Sequence, residues 1–184
     1  MRKLKLQVQM SIDGFISGTN GEMDWMAFNW SDDLIKFVTQ LTEPVDTILL
    51  GRKLAEGFIP HWTAAFNSPE PAPGSEKIVK TPKVVFTKTL TTSEWDNTVL
   101  AKGDLVEEVN ALKNQKGGDI IAYGGGQFVS HLIKESLIDE LNLFINPTAI
   151  GSGMAIFNQR TNLKLVKSQV YECGIVVNTY QPLK

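Results

Sequence analysis

The chain predicts an α/β fold in three layers: a mainly parallel central sheet, helices on both faces, and an antiparallel hairpin at the C-terminal end. Three observations predict it. Short aliphatic runs alternate with stretches of helical periodicity through most of the 184 residues, the pattern of strand–helix–strand units. Gly51-Arg52, Thr87-Lys88 and Gly124-Gly125-Gly126 each follow such a run directly, where a parallel sheet turns from strand to helix. The last two runs are parted only by Glu172-Cys173-Gly174, a hairpin turn.

In chain order, residues 4–10 alternate as Leu-Lys-Leu-Gln-Val-Gln-Met, a strand with one face buried. A long loop rich in Gly, Asp, Asn and Trp follows, and loops of that length in compact domains tend to be functional. Ser31 caps a helix over 32–41, with Asp32 and Asp33 in its first turn and Leu34, Phe37, Val38 and Leu41 at core spacing. Pro44 ends it. Residues 46–50 form a buried strand, and Gly51-Arg52 opens a short helix toward Phe58. The segment 67–75 holds three prolines and reads as a stiff rim or lid over a pocket. Strands follow at 83–87 and near 98–101, and Asp104 caps a helix through about Gln115. Residues 119–123 make a strand, Gln127–Lys134 a helix, and 138–146, 163–172 and 174–181 three further strands. One domain over 1–184 is expected from the length.

Composition excludes several classes. Hydrophobic residues make up 42% and charged residues 21%, so a packed core is expected rather than disorder. The net charge of −2, with both signs interspersed, gives no footprint for nucleic acid or an anionic membrane. The single Cys173 excludes an internal disulfide, and with only His61 and His131 no metal site is expected. No apolar run reaches membrane-spanning length and the first residues carry no signal-peptide core, so a reducing cytoplasm is the expected setting.

The triglycine is the strongest functional signal. Glycines let the backbone adopt positive φ and let an anion approach the main chain, and the following helix aims unpaired N–H groups at the same spot. Such a junction binds phosphate, although a tight turn without ligand would use the same residues. The spacing is not that of the Rossmann fingerprint, since Val129 stands where its third glycine would be, and no Gly-Lys-Ser/Thr ending makes a P-loop. Arg52 adds a forked cation, and Thr87 and Lys88 add a hydroxyl and an ammonium. With the glycine turn they could hold two phosphate groups at separate places.

In their order these pieces resemble the dihydrofolate reductase fold, and specifically its bacterial branch that includes the reductase domain of riboflavin biosynthesis. Ser11-Ile-Asp13-Gly14-Phe15-Ile16 resembles the family's opening strand end, Met23-Asp24-Trp25 its Met-Pro-Trp loop, and Asp33-Leu34 with Phe37 its substrate helix. Leu50-Gly51-Arg52-Lys53 and Val84-Val-Phe-Thr-Lys88 resemble the turns at the cofactor's 2′-phosphate and adenosine side, and Gly124-Gly125-Gly126-Gln127 the pyrophosphate turn. The chain departs from the pattern in having Asp24 in place of proline and a longer segment between Asp33 and Gly51. It carries no deaminase half with a His/Cys zinc signature.

The resemblance implies NADPH-dependent hydride transfer to a small planar heterocycle, pterin- or aminopyrimidine-like, in a homodimer. Ile16, Gly51, Arg52, Thr87, Lys88, Gly124, Gly125, Gly126 and Gln127 would bind the cofactor, and Trp25, Asp33 and Phe37 the substrate. Asp33 and Asp13 are the rival acids for the catalytic role; each has a structural alternative, Asp33 at a helix N-terminus and Asp13 in an Asp-Gly turn. A nucleotide-binding module without a productive substrate pocket is the competing reading.

Overall fold

In the computed structural model, residues 1–27 and 29–183 are described. Phe28, inside the long loop expected after the first strand, and Lys184, at the end of the expected domain, lie outside the described residues. The strands are β1 (Leu4–Ser11), β2 (Val45–Gly51), β3 (Lys83–Phe86), β4 (Thr98–Ala101), β5 (Asp119–Tyr123), β6 (Glu140–Asn146), β7 (Leu163–Val170) and β8 (Val176–Pro182). The helices are α1 (Asp32–Thr42), α2 (Arg52–Phe66), α3 (Ser75–Lys80), α4 (Leu105–Asn114) and α5 (Gly126–Lys134).

All eight strands form one sheet in the order β4-β3-β2-β5-β1-β6-β8-β7. The first six in that order run parallel, and the β7–β8 hairpin adds the antiparallel edge against β6. The expected three layers follow from strand periodicity. Leu4, Leu6, Val8 and Met10 of β1 join Leu49, Ala122 and Leu143 on one face, packed by Val109 of α4 and by Val129, Leu132 and Ile133 of α5. On the opposite face Ile48, Leu50, Val85 and Ile121 meet Ala55 and Ile59 of α2 and Ile78 of α3. Further along that face, Phe144 and Val177 meet Leu34 and Leu41 of α1.

Two expectations change. The helix after Gly51 runs for 15 residues and continues through Pro60. Ala55 and Ile59 are buried against β2, and that burial outweighs the backbone hydrogen bond a proline removes. At 1.5 Å rise per residue this helix is about 22 Å long, so it carries the chain to the far edge of the sheet. The proline-rich stretch therefore does not roof a pocket at the C-terminal ends of the strands. It turns α2 into α3, an element not expected from the sequence, with the Ala72 N–H on the Ala65 carbonyl at 3.4 Å.

Candidate active site

The connections out of the sheet set the location of the site. The chain leaves β1 and β2 for helices on one face, whereas β5 leaves for α5 on the other. Because β5 lies between β2 and β1, its C-terminal end is a point where the connections diverge on both sides. Crevices open at such points in parallel α/β sheets. The triglycine stands there.

Gly125, at φ +102°, is the N-cap residue of α5, a conformation that favours glycine. Its neighbours are not glycine for lack of room. A Cβ on Gly124 would come no closer than 3.7 Å to Val8, and one on Gly126 no closer than 3.8 Å to Ile16 and Met154, both ordinary contacts. The first intrahelical bond is Val129 N–H to the Gly125 carbonyl, so the N–H groups of Gly126, Gln127 and Phe128 remain available to a ligand. Beside the turn, Leu54 in the first turn of α2 sits 3.5 Å from the Cβ position of Gly125, so two helix N-termini flank one spot. This arrangement fits a dinucleotide pyrophosphate, whose charge meets main-chain donors and whose bulk takes the space that side chains leave empty.

The other predicted cofactor residues divide. Gly51 is required by packing, since a Cβ there would lie 2.8 Å from Phe128 Cβ. Its register partner is Phe86, so Arg52 and Thr87 emerge side by side beyond adjacent strands. Arg52 Nη1 pairs with Glu56 Oε1 at 2.7 Å one helical turn on, and an incoming phosphate would compete with that carboxylate. Thr87 Oγ1 accepts the Thr89 and Leu90 N–H groups, both at 3.1 Å. Lys88 Nζ donates to the Lys102 and Gly103 carbonyls at 2.8 Å. Ile16 closes over Gly126 together with Met154, because the Ile16 N–H donates to the Met154 carbonyl and the Met154 N–H to Ser17.

The two acids are loop staples. Asp13 accepts the Ser11 hydroxyl at 2.6 Å and the backbone N–H of Gly151 at 2.7 Å and of Ile150 at 3.1 Å, tying the loop after β1 to the loop after β6. Asp33 accepts the Ser31 hydroxyl, the Leu34 N–H at 2.8 Å and the Glu172 N–H at 3.2 Å, tying the start of α1 to the β7–β8 hairpin. The serine hydroxyls first, then these backbone donors, hold both carboxyls below the usual carboxylate range. In this structure Asp13 and Asp33 therefore position loops, and the catalytic role expected for them from the sequence is a separate question from this stapling. Phe37, expected at the substrate, packs 5.5 Å from Tyr171 and 6.1 Å from Phe144 in the core under α1. Trp25 donates its indole N–H to the Glu22 carbonyl within its own loop.

What sequence reasoning missed is the floor between the two helix clusters. The odd-numbered residues of β1 face the α1–α2 side, and among the described residues no apolar cluster includes them there. Lys5 pairs with Asp119 at 2.8 Å and closes one end of this seam. Gln7 follows, beside Tyr123 and Asn142 by register. Gln9 then accepts from Asn146 Nδ2 at 2.8 Å, and Asn146 Oδ1 accepts the Ala27 N–H, which anchors the long loop overhead. Burial pushes the Tyr123 phenol well above its ordinary range, so it remains a neutral hydroxyl. The alternation in residues 4–10 was the available signal. On a strand covered on both faces, a polar row marks a buried polar seam rather than a solvent face.

Among the described residues there is no group of His, Cys, Asp and Glu suited to a metal ion. No helix among them is long and apolar enough to cross a membrane.

Comparison with known proteins agrees with this fold. The family model of the RibD C-terminal domain matches residues 2–177. The uncharacterized protein YyaP of Bacillus subtilis (strain 168) is 35% identical over 187 residues, covering 97% of this chain and 94% of that protein. A solved diaminohydroxyphosphoribosylaminopyrimidine deaminase/5-amino-6-(5-phosphoribosylamino)uracil reductase from Thermotoga maritima superposes on 99% of this chain with TM-score 0.70 at 16% identity, and the chain spans 57% of it. A pyrimidine reductase-like protein from Corynebacterium diphtheriae gives TM-score 0.66 at 15% identity over 100% of this chain and 92% of that one. At those identities the two structures share the fold.

Proposed function

The chain belongs to the RibD C-terminal domain family, and on that premise we propose that it is an NADPH-dependent reductase of a small planar heterocycle, pterin- or aminopyrimidine-like. The observation that carries this reading is the triglycine turn: two of its three missing side chains are not required by the protein's own packing, and the space lies against free N–H groups at a crevice in the sheet. NADPH, when bound, supplies the hydride.

The rest is positioning by this chain's residues. Main-chain donors of Gly126 and Gln127 take the pyrophosphate. Arg52, exchanging Glu56 for a phosphate, takes the 2′-phosphate with Thr87 beside it and Lys88 next in the chain. Ile16 and Met154 line the space over the turn. The seam on β1 receives the heterocycle, with Asp13 and Asp33 fixing the loops at its rim. Tyr123 keeps its proton and can orient a substrate atom as a hydrogen-bond donor. The proton that balances the hydride then comes from water at the rim.

Calorimetric titration with NADPH and NADH tests the cradle. The expected result is tight NADPH binding with at least a tenfold preference over NADH; binding of neither would remove the reductase reading. NADPH oxidation across a panel of pterins and aminopyrimidines tests turnover.

A further inference from the structure

A cavity of about 210 Å³ lies at the far end of α5 from the glycine turn. Ile133 in the last turn of that helix, Ile138 and Leu141 line it and are buried. Leu163 at the start of β7 and Pro182 at the end of β8 wall it on the hairpin side. Ser136, Arg160 and Asn162 stand on its exposed rim. Among the described residues no aspartate or glutamate lines this cavity, so Arg160 carries the one charge there. The three arginines of the chain differ in this respect. Arg2 pairs with Asp46 and Arg52 with Glu56, whereas Arg160 makes no ion pair among the described residues. The segment that carries it is fastened on both sides. The Ser130 hydroxyl donates to the Ile156 carbonyl at 2.8 Å, and the Leu183 N–H to the Asn162 carbonyl at 2.9 Å. Ser136 sits at φ +54° just past α5, where helices ordinarily end on glycine, so a hydroxyl is kept on the rim at a conformational cost.

We infer that this cavity binds a small organic acid, a monocarboxylate carried on one compact apolar ring. The aliphatic walls take the ring out of water, which is the favourable part of the exchange. The Arg160 guanidinium receives both carboxylate oxygens in its planar fork, and the Ser136 hydroxyl and Asn162 amide supply neutral donors beside it. Size agrees with this class. An apolar cavity of about 150 Å³ holds benzene, so 210 Å³ takes a six-membered ring and leaves room for the carboxylate at the rim. A phosphate is a poor match, since it brings more charge than one arginine meets and nothing to set against Ile133, Ile138 and Leu141. The cavity stands at the N-terminal end of β6, at the opposite end of the sheet from the glycine turn. The assignment therefore does not depend on the reductase reading.

The probes are benzoate, benzyl alcohol and inorganic phosphate, titrated into the full chain by calorimetry and by amide chemical shifts. Benzyl alcohol keeps the ring without the charge, and phosphate keeps charge without the ring. Benzoate is expected to saturate, with shifts confined to residues 133–141 and 159–163 and to Leu183. The other two should bind at least about tenfold more weakly, because each gives up either the charge-assisted hydrogen bonds or the apolar burial. Arg160→Gln should weaken benzoate about tenfold. Its melting temperature should match wild type, since Arg160 is exposed and holds no partner in the fold. Benzoate that fails to saturate, or whose shifts centre on the glycine turn at 124–128, would overturn the inference. So would equal affinity for benzoate and either control, or benzoate affinity that survives Arg160→Gln.

Discussion

The two edges of the sheet are built on opposite terms. At the N-terminal ends of the strands three buried cations meet carboxylates, Arg2 with Asp46, Lys5 with Asp119 at 2.8 Å and Lys113 with Asp139 at 2.7 Å, and Lys83 donates to the Val79 and Thr81 carbonyls at 2.9 Å. Arg2 also donates to Thr47 at 2.7 Å and to the Gly118 carbonyl at 2.6 Å, joining three segments of chain. A hollow of about 750 Å³ opens here, lined by Arg2, Asp46, Lys77, Lys80 and Lys116. At the C-terminal ends the groups are left open instead: helix N–H groups, glycines whose side-chain space meets neighbours only at ordinary contact distance, and Gln7 Oε1. Volume alone therefore does not mark the site. Open main-chain donors beside the glycine turn distinguish the C-terminal ends, whereas buried side-chain atoms without a partner occur on both sides, Gln7 Oε1 on β1 and Ser75 Oγ on α3.

The sharpest way to break this contrast is Arg2→Met. Its side chain is 5% exposed while that of Asp46 is 46% exposed, so water can recover part of the lost pairing. Removing one partner of a buried pair costs about 3–5 kcal/mol, and the exposed partner places this case near the lower figure. Urea unfolding should show that loss, with NADPH affinity in the folded fraction unchanged within about twofold. A parallel collapse of NADPH affinity would mean that the two edges are coupled and the contrast false.

Gly126→Ala probes the other edge. The added Cβ has room, so the unfolding midpoint should stay within experimental error, while on the proposed reading NADPH affinity falls about tenfold, about 1.4 kcal/mol, because the methyl enters the space proposed for the pyrophosphate. A drop in stability with affinity intact would return the triglycine to a packing role.

Charge at the same edge should be tunable in both directions. Arg52→Gln should lower the NADPH-to-NADH affinity ratio about fivefold, and Glu56→Gln, which frees Arg52 from its partner, should raise it about twofold. Equal ratios in all three proteins would place the 2′-phosphate elsewhere.

The smallest effect is in acid. Asp33 titrates below its unfolded value of 3.8 because the Ser31 hydroxyl and backbone N–H groups favour its ionised form. Its contribution to stability is therefore complete above about pH 4 and is lost as pH falls through the lower folded value. Asp33→Asn should lie below wild type in thermal melts near neutrality, and the gap should close on acidification. A gap independent of pH would show that the carboxylate charge contributes nothing at this staple.

Much of the framework was legible in the chain because local chemistry and tertiary demand coincide there. Ser31, Gly51, Asp104 and the triglycine stand where helices begin, and Glu172-Cys173-Gly174 turns the hairpin. The length of α2 was not legible: Pro60 signals an end, and only the cores of β2 and β3 supply the burial that overrides it. Nor was the role of Asp33 and Asp13. Their donors include Glu172, Ile150 and Gly151, far away in the chain, so the stapling of the loops could not be read from the motifs. Gln7 was hidden by its own regularity, since alternation alone cannot say whether the second face of a strand meets water or another helix.

The central position of β1 also sets an order of assembly. Leu4 pairs with Ile120 and Lys5 with Glu140, so the two neighbours of β1 come from far later in the chain. Both edges of β1 must wait for β5 and β6, and contacts of such long sequence separation slow folding. Until they arrive, an aliphatic strand with free N–H and C=O groups on either side is open to pairing with other chains. The polar seam and the glycine turn are both completed in that same late step. A chain halted before residue 119 would then have neither feature and would carry two unprotected strand edges, open to association rather than to partial folding.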